Sequence, residues 1–407
     1  MINIAVLGYG TVGSGVVEVI NTNGKQINQR IGEELNVKYV LDLRDFPEDP
    51  VQEKIVHDFD IILNDPDVQI VVEVMGGIEP AYTFVKSSLE AGKSVATSNK
   101  ALVAKHGAEL LSIAKEKDIN FLFEASVGGG IPIIRPLNTS LTADEIQVIT
   151  GILNGTTNYM MTKMFYEGAD YDTVLKEAQD KGYAERNPEA DVEGYDACRK
   201  IAILSSLISG QQVDFEDIYC EGITEITVED MKYAKALGMT IKLLASMRRY
   251  AGNRIHAIVA PCLLSPDHPL YNVNDVFNAI FVHGNVLGDA MFYGSGAGKL
   301  PTASAVVADV VDAARHLHIN VMTIWDSKKL KLEDKADAKR RFFVRMKGDA
   351  EDLLSDLQES FGNLQIVHAF GLEDEFGFVT ELMMEGDYET RAKIYEDKIL
   401  HMIRIED

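Results

Sequence analysis

The sequence predicts an α/β protein: a doubly wound parallel sheet, then a mixed α+β domain, then a small β-α-β-β-α-β domain. Three observations carry this. Short apolar runs alternate with helical patterns through about residue 130, which implies parallel strands joined by helices. The texture then turns Gly- and Pro-rich from Glu124 onward. Beyond a polar stretch at 326–340, six short patterned segments close the chain.

In order, "INIAVLG" reads as a buried strand and "VGSGVVEVI" as the helix after it. "VKYVLDL" and the end of "DIILNDPDVQIVVEVMGG" are the next strands, and "AYTFVKSSLEAG" is a helix. "KSVATSNK", "GAELLSIAKEKD" and "INFLFEAS" read as strand, helix and strand. "ADEIQVITGILNGTTNYMMTKM" reads as strand, turn and helix, and "NRIHAIVAPCLLS" as a strand. "PTASAVVADVVDAARHL" (301–317) is apolar at helical spacing and opens on a proline. The expected domains are 1–127, completed by helix 301–317; 128–300, catalytic and dimerising; a linker at 326–340; and 341–407. The β-α-β-β-α-β order of the last suggests a ferredoxin-like fold.

Composition bounds function. The 407 residues are 46% hydrophobic and 25% charged, with a formal net charge of −24. That balance argues against gripping nucleic acid or an anionic membrane by bulk charge. No apolar run is long enough to span a membrane. Cys198, Cys220 and Cys262 show no metal-ligand or disulfide spacing. Together with an N-terminus free of a basic leader pattern, this fits a reducing cytoplasmic setting.

Gly8-Tyr9-Gly10-Thr11-Val12-Gly13 follows a strand and opens a helix, the fingerprint of a Rossmann-type dinucleotide site. Gly8 makes the tight turn, Gly10 admits the pyrophosphate, and Gly13 lets helix and strand approach. The helix N-terminus at Thr11 and Val12 supplies donors. At the second strand's end, Asp42 would accept from a ribose 2′-OH and favour NAD, whereas Arg44 would pair with a 2′-phosphate and favour NADP. The sequence does not choose. Lys100 ends "SNK" beside a strand terminus, where it either reaches nicotinamide or substrate or is a solvated lysine opening a helix.

"DVEGYDACRK" is followed by the uncharged "IAILSSLI". Asp196 and Lys200 are four apart and share a helical face. A surface ion pair is the common outcome of such spacing. Here the face continues through Ile203, Leu204 and Leu207, and Ile201 and Ile208 make the other side apolar, so the helix reads as buried. Lys200 then points into an interior cleft, its proton affinity lowered by burial and raised by Asp196. Glu185 and Asp191 lie on the preceding loop and could hold a substrate ammonium, or be solvated acids.

Ala178, Gly182, Tyr183, Ala184, Glu185, Pro188, Asp191, Gly194, Asp196 and Lys200 together resemble the signature segment of the homoserine dehydrogenase family. "GILNGTTNYMMTKM", "EASVGGGIPII", "SNKALVAKHGAEL" and "GAGKLPTASAVVADV" resemble that family too, over about residues 1–320. The resemblance implies reversible reduction of L-aspartate 4-semialdehyde to L-homoserine by NADP or NAD. It implies Lys200 as acid and base, Asp196 as its partner, and Glu185 on the substrate ammonium. Gly155, Thr156 and Tyr183 would line the substrate site, with Asp191 on the same loop. Lys100 would lie between cofactor and substrate, and Gly296 and Gly298 would approach the cofactor. Glu124, Val127, Gly129 and Ile131 would give oxygens, mostly backbone carbonyls, to Na⁺ or K⁺. No aspartate kinase domain is expected, and the enzyme would be a homo-oligomer, dimer or tetramer.

The C-terminal segment resembles an ACT domain, which implies threonine as an effector. It departs from that pattern where an Asp-x-x-Gly turn is usual: the chain reads "RMKGDAEDLL". A dimerisation module that binds nothing is the other reading. Two further possibilities stand beside the enzyme: a nicotinamide- and amino-acid-sensing regulator with the same fold, and a different amino-acid dehydrogenase.

Overall fold

The computed structural model describes residues 1–322 and 325–406. Asp407, the last residue of the expected C-terminal domain, lies outside them. The chain opens with β1 (Ile2–Leu7), α1 (Thr11–Ile31), β2 (Leu35–Leu41), β3 (Ile55–Val56) and α2 (Phe59–Leu63). It continues with β4 (Val68–Glu73), α3 (Ala81–Glu90), β5 (Ser94–Thr97), α4 (Lys100–Glu116) and β6 (Phe121–Leu122). Next are β7 (Ile146–Ile152), α5 (Gly155–Glu167), α6 (Tyr171–Asp180), α7 (Glu189–Val192), α8 (Tyr195–Ser209), β8 (Gln211–Gln212) and β9 (Tyr219–Cys220). Then come α9 (Val228–Ala236), β10 (Thr240–Tyr250), β11 (Arg254–Leu264), β12 (Phe277–Gly284), β13 (Gly288–Ser295) and α10 (Lys299–Arg315). The chain ends with β14 (Asp326–Lys329), β15 (Lys339–Lys347), α11 (Ala350–Phe361), β16 (Gln365–Val367), β17 (Glu375–Val379), β18 (Met383–Met384), α12 (Glu385–Ala392) and β19 (Ile399–Glu406). Two compact units form. One is 1–145 with 202–215 and 292–330; the other is 146–201 with 216–291 and 331–407.

In the first unit the sheet runs β3-β2-β1-β4-β5-β6, with every pair parallel. All six residues of β1 are buried, as expected where helices cover both faces. The order reverses between β1 and β4, and such a switch point opens a crevice at the strands' C-terminal ends. Helix α10 lies against α1 and buries Ala303, Val306, Val307 and Val310; each buried Val contributes about 1.5–3 kcal/mol. The sequence reading starts this helix at Pro301, but it starts at Lys299. A proline fits anywhere in a first turn, where its missing N–H has no intrahelical partner. β3 and α2 escaped the sequence reading.

Residues 326–340 read as a solvated linker, yet they are structured. β14 pairs with β8, and Trp325 just before it donates its indole N–H to Gln212 at 2.9 Å. Asp334 caps a short 3-10 turn over Lys335–Asp337, and Lys335 pairs with Glu389 and, at 3.7 Å, Glu385. Four of the charges that suggested solvation, Lys329, Glu333, Lys335 and Arg340, are committed to ion pairs.

The second unit is built on a sheet that runs β13-β12-β7-β10-β11-β19-β15-β17-β16. The C-terminal segment is therefore not set apart: β19 pairs in parallel with β11, Cys262 opposite Arg404. Within that segment the strands lie in the order β19-β15-β17-β16, with antiparallel pairs, and the two-residue β18 pairs with β15 off this path. Alternation along β15 sorts its side chains. Phe342, Val344 and Met346 join Leu357 and Phe361 of α11 and Tyr388 of α12 in one core. Phe343 instead meets Tyr233 of α9, ring centroids 5.3 Å apart, and Arg345 reaches Asp230 of α9 at 2.8 Å.

Candidate active site

In the first unit, the turn after β1 has the form a dinucleotide needs. Gly8 has φ +98°, a conformation that costs an L side chain steric energy. A Cβ at Gly13 would sit 1.9 Å from the Gly8 carbonyl oxygen, so only glycine allows the close helix–strand approach. A Cβ at Gly10 would meet nothing within 4 Å, which leaves open space above the turn. Helix α1 has no side-chain cap at Gly10. The amides of its first turn, Thr11, Val12 and Gly13, carry the positive end of the helix dipole toward that space. These residues fit a nicotinamide dinucleotide.

Asp42 and Arg44, the two residues between which the sequence could not choose, pair with each other. Arg44 Nε donates to Asp42 Oδ1 at 2.9 Å and its Nη2 to Oδ2 at 3.0 Å. The Tyr9 amide donates to the same carboxylate at 2.8 Å, which ties the second strand's end to the glycine turn. The guanidinium holds the Asp42 carboxyl well below the usual carboxylate range. Arg44 remains mostly exposed.

Lys100 is the first residue of α4. Its neighbour Asn99 caps the helix, accepting from the Leu102 amide at 3.1 Å. The network below is buried: Thr97 donates to Glu73 at 2.6 Å, and Glu73 also accepts the Met75 amide at 2.8 Å. Burial raises the Glu73 carboxyl, and these donors oppose it. Gly298, at φ +118°, precedes α10, and Gly296 packs so tightly on Gly129 that a Cβ there would sit 2.1 Å from its carbonyl oxygen.

In the "EASVGGGIP" loop the Glu124 carboxylate is engaged: it accepts the amides of Ile133, Ile134 and Arg135. The main-chain oxygen of Glu124 is left for a cation, as those of Val127, Gly129 and Ile131 would be. Among the described residues no group of three or more His, Cys, Asp or Glu side chains could hold a metal ion.

In the second unit, Lys200 is buried at 8% exposure and Asp196 at 3%. Lys200 Nζ donates to Asp196 Oδ2 at 2.7 Å and to the Leu153 carbonyl at 2.6 Å. This is an interior pair, not the surface pair common at that spacing. Asp191 enters the same cluster through Asn154, whose Nδ2 donates to Asp191 Oδ1 at 2.8 Å and to Asp196 Oδ2 at 3.0 Å. Thr156, buried in the first turn of α5, donates its hydroxyl to the Tyr183 carbonyl at 2.7 Å. Gly155 faces the Val276 main chain, where a Cβ would come within 2.8 Å of the carbonyl oxygen. Tyr183 and Glu185 are exposed, and the Glu185 carbonyl accepts Gln179 Nε2 at 3.0 Å. A buried ammonium between one carboxylate and one carbonyl is equipped to pass a proton, and the second carboxylate beside it to receive a cationic group.

Residues 132–311 match the family model described as homoserine dehydrogenase, and residues 8–124 match the one described as homoserine dehydrogenase, NAD binding domain. A homoserine dehydrogenase from Synechocystis is 40% identical over 430 residues, covering 99% of this chain and 97% of that protein. The crystal structure of a homoserine dehydrogenase from Thiobacillus denitrificans superposes with a TM-score of 0.89 at 36% identity, covering 100% and 98%. A hyperthermophilic archaeal homoserine dehydrogenase, solved in complex with NADPH, gives 0.65 at 31% identity, covering 77% and 97%. The chain belongs to the homoserine dehydrogenase family. As a homoserine dehydrogenase it is a nicotinamide-dependent oxidoreductase that interconverts L-homoserine and L-aspartate 4-semialdehyde. Among the described residues no helix is long and apolar enough to cross a membrane.

Sequence reasoning missed Asn154. It stands one residue before Gly155 in "LNGTT", where it reads as an ordinary helix cap. Nothing local announces that its amide also meets carboxylates 37 and 42 residues away.

Proposed function

We propose that Lys200 is the acid and base of this homoserine dehydrogenase. In the reductive direction it gives a proton to the oxygen of the aldehyde as that oxygen gains negative charge; in the oxidative direction it takes the hydroxyl proton back. The nicotinamide, when bound, supplies or accepts the hydride. Asp196 holds the ammonium and sets its proton affinity. Asp191 and Glu185 receive the substrate's ammonium, with Gly155, Thr156 and Tyr183 lining the site, and Lys100 faces substrate and cofactor. The observation that carries the reading is the buried Lys200–Asp196 pair at 2.7 Å. An isolated buried charge is costly, so one kept in an interior with an aligned partner suits proton transfer. The test is nicotinamide absorbance with aspartate semialdehyde for the wild type and Lys200→Ala. A positioned acid/base is worth at least ~10²-fold in turnover. A variant within threefold of wild type would remove the assignment.

The exposed Arg44 guanidinium and the NADPH bound by the archaeal relative favour NADP over NAD. Na⁺ or K⁺ would bind the carbonyls of Glu124, Val127, Gly129 and Ile131 and order the loop rather than join the chemistry. The C-terminal segment acts as an ACT-like regulatory domain that takes threonine, in a cytoplasmic, monofunctional homo-oligomer. Because β19 completes the sheet beside β11, threonine inhibition is tested on the intact chain. Homoserine oxidation unchanged by millimolar threonine would refute it.

A further inference from the structure

Asn154 is buried at 6% exposure, immediately after β7. Its side-chain amide is fully committed. Oδ1 accepts from the Thr157 amide at 2.9 Å and the Thr157 hydroxyl at 3.1 Å. Nδ2 uses its two hydrogens on Asp191 Oδ1 and Asp196 Oδ2, at 2.8 and 3.0 Å. Two donors and two acceptor sites are all a primary amide has. The orientation is fixed, because turning the amide over would aim its oxygen at two carboxylates.

The peptide that carries this amide also grips the lysine. Leu153, the preceding residue, accepts Lys200 Nζ, and Asp196 Oδ2 receives both Lys200 and Asn154. Lys200, Asp196, Asn154 and Asp191 therefore form one unbroken chain of hydrogen bonds. Its middle member is neutral, and that decides what it does. Two carboxylates brought to one donor repel each other and raise each other's proton affinity. A cation between them would relieve this but would push the lysine's proton affinity down. A neutral NH₂ joins them without adding charge.

We propose that Asn154 is a positioning residue for the dehydrogenase reaction: its amide couples the Asp191 carboxylate, which meets the substrate's ammonium, to the Asp196 carboxylate that holds Lys200. The proposal rests on the reading of Lys200 given above. Through this coupling a substrate bound at Asp191 is registered against the proton donor, and the cluster keeps the charge under which Lys200 can both give and take a proton.

Two variants separate positioning from helix capping, since Ser and Asp both cap helices as well as Asn does. Asn154→Ser keeps an oxygen for the Thr157 amide and loses the bridge. Asn154→Asp keeps the cap and puts a third carboxylate beside Asp191 and Asp196. Steady-state homoserine oxidation is measured from pH 6 to 10 for wild type, both variants and Lys200→Ala, with circular dichroism to confirm folding. For Asn154→Ser, which loses both charge-assisted hydrogen bonds, the homoserine KM rises about tenfold or more, the cost of the one that orients Asp191, while the KM for the nicotinamide dinucleotide stays within twofold. For Asn154→Asp the acid limb of kcat/KM moves up by about one pH unit, because added negative charge stabilises the Lys200 ammonium and the base form appears later. If Lys200→Ala loses turnover while both Asn154 variants keep the wild-type homoserine KM and pH profile, the positioning role is wrong and the Lys200 assignment survives. If Lys200→Ala keeps turnover, that assignment is wrong and the coupling has no lysine to serve.

Discussion

Arg404, on the last strand, and Glu221, in the loop after β9, are joined at 2.6 Å. The guanidinium also takes the Glu385 carboxylate by Nη2 at 2.7 Å and Nε at 3.1 Å, and all but 1% of Arg404 is buried. Glu221 leads directly to Gly222 and Ile223, and the Ile223 amide donates to the Val192 carbonyl at 2.8 Å. The C-terminal strand thus anchors the loop that backs the Asp191–Gly194 turn.

Arg404→Met keeps most of the volume and removes the short partner of Glu385, which has no exposed surface and is left with the longer pairs to Lys335 and Arg340 at 3.7 Å. Breaking one side of a buried pair costs about 3–5 kcal/mol, and removing both charges costs much less. Urea unfolding should therefore show a large loss for Arg404→Met and a partial recovery for Arg404→Met with Glu385→Gln. Equal midpoints for the single and double variants would contradict this.

Lys242 is the buried amine of β10. Its Nζ lies 2.6 Å from the Val273 carbonyl, 2.9 Å from Asn274 Oδ1 and 3.1 Å from Asn158 Oδ1, three acceptors that the ammonium serves together and the neutral amine two at a time, and so ties the 273–274 loop to α5. Burial pushes its pKa down from 10.5 to about 7, with Asp275 opposing. Between those values the unfolded chain holds the proton and the folded chain does not, so the lysine's contribution to stability rises with pH. Relative to Lys242→Met, the wild type should gain roughly 1 kcal/mol per pH unit from pH 7 to 9. Parallel urea curves at both pH values, with an unchanged difference, would exclude it.

His256 carries the same sign into a more acid window. Its Nε2 is buried without a hydrogen-bond partner among the described residues. Burial first, then Arg340, Arg248 and Arg404, push its pKa from 6.5 down to about 4. As pH falls through that window the unfolded chain takes a proton that the folded chain refuses. Wild-type stability should fall from pH 6.5 to 4 more steeply than that of His256→Gln, by roughly 1 kcal/mol per pH unit. Chemical denaturation at pH 6.5, 5.5 and 4.5 measures the two slopes.

The nucleotide-binding half was legible because its signals are local: short continuous apolar runs, intervening helical patterns and a glycine turn whose spacing has one steric explanation. Lys200 was legible too, because a helix apolar on every side leaves its one ammonium nowhere to go but inward. What stayed hidden depends on distant partners. β3 has only two residues, and its existence is decided by β2 beside it. The β11–β19 pairing joins strands about 140 residues apart, and strand pattern says nothing of neighbour choice. Lys242 sits in an apolar run, where a single charge gives no hint of the three acceptors supplied by α5 and the 273–274 loop.

The Asp42–Arg44 pair makes cofactor choice a competition for two groups already bonded to each other. A 2′-phosphate draws the guanidinium away from Asp42, and a ribose 2′-OH needs the Asp42 oxygens that Arg44 now occupies. Arg44→Ala removes the phosphate's partner and leaves Asp42 with main-chain donors at this turn, the amides of Tyr9 and of residue 44 itself, so it should penalise NADP and favour NAD together. A charge-assisted guanidinium–phosphate bond denied to one cofactor is worth roughly 1.5–3 kcal/mol, and the ratio of kcat/KM for NAD to that for NADP should rise at least about tenfold. Asp42→Asn, which keeps the shape and removes the charge that restrains Arg44, should move the ratio the other way. Initial rates of homoserine oxidation with both cofactors, for wild type and the two variants, decide it: a ratio unmoved by Arg44→Ala would mean that cofactor choice is made elsewhere than at the end of β2.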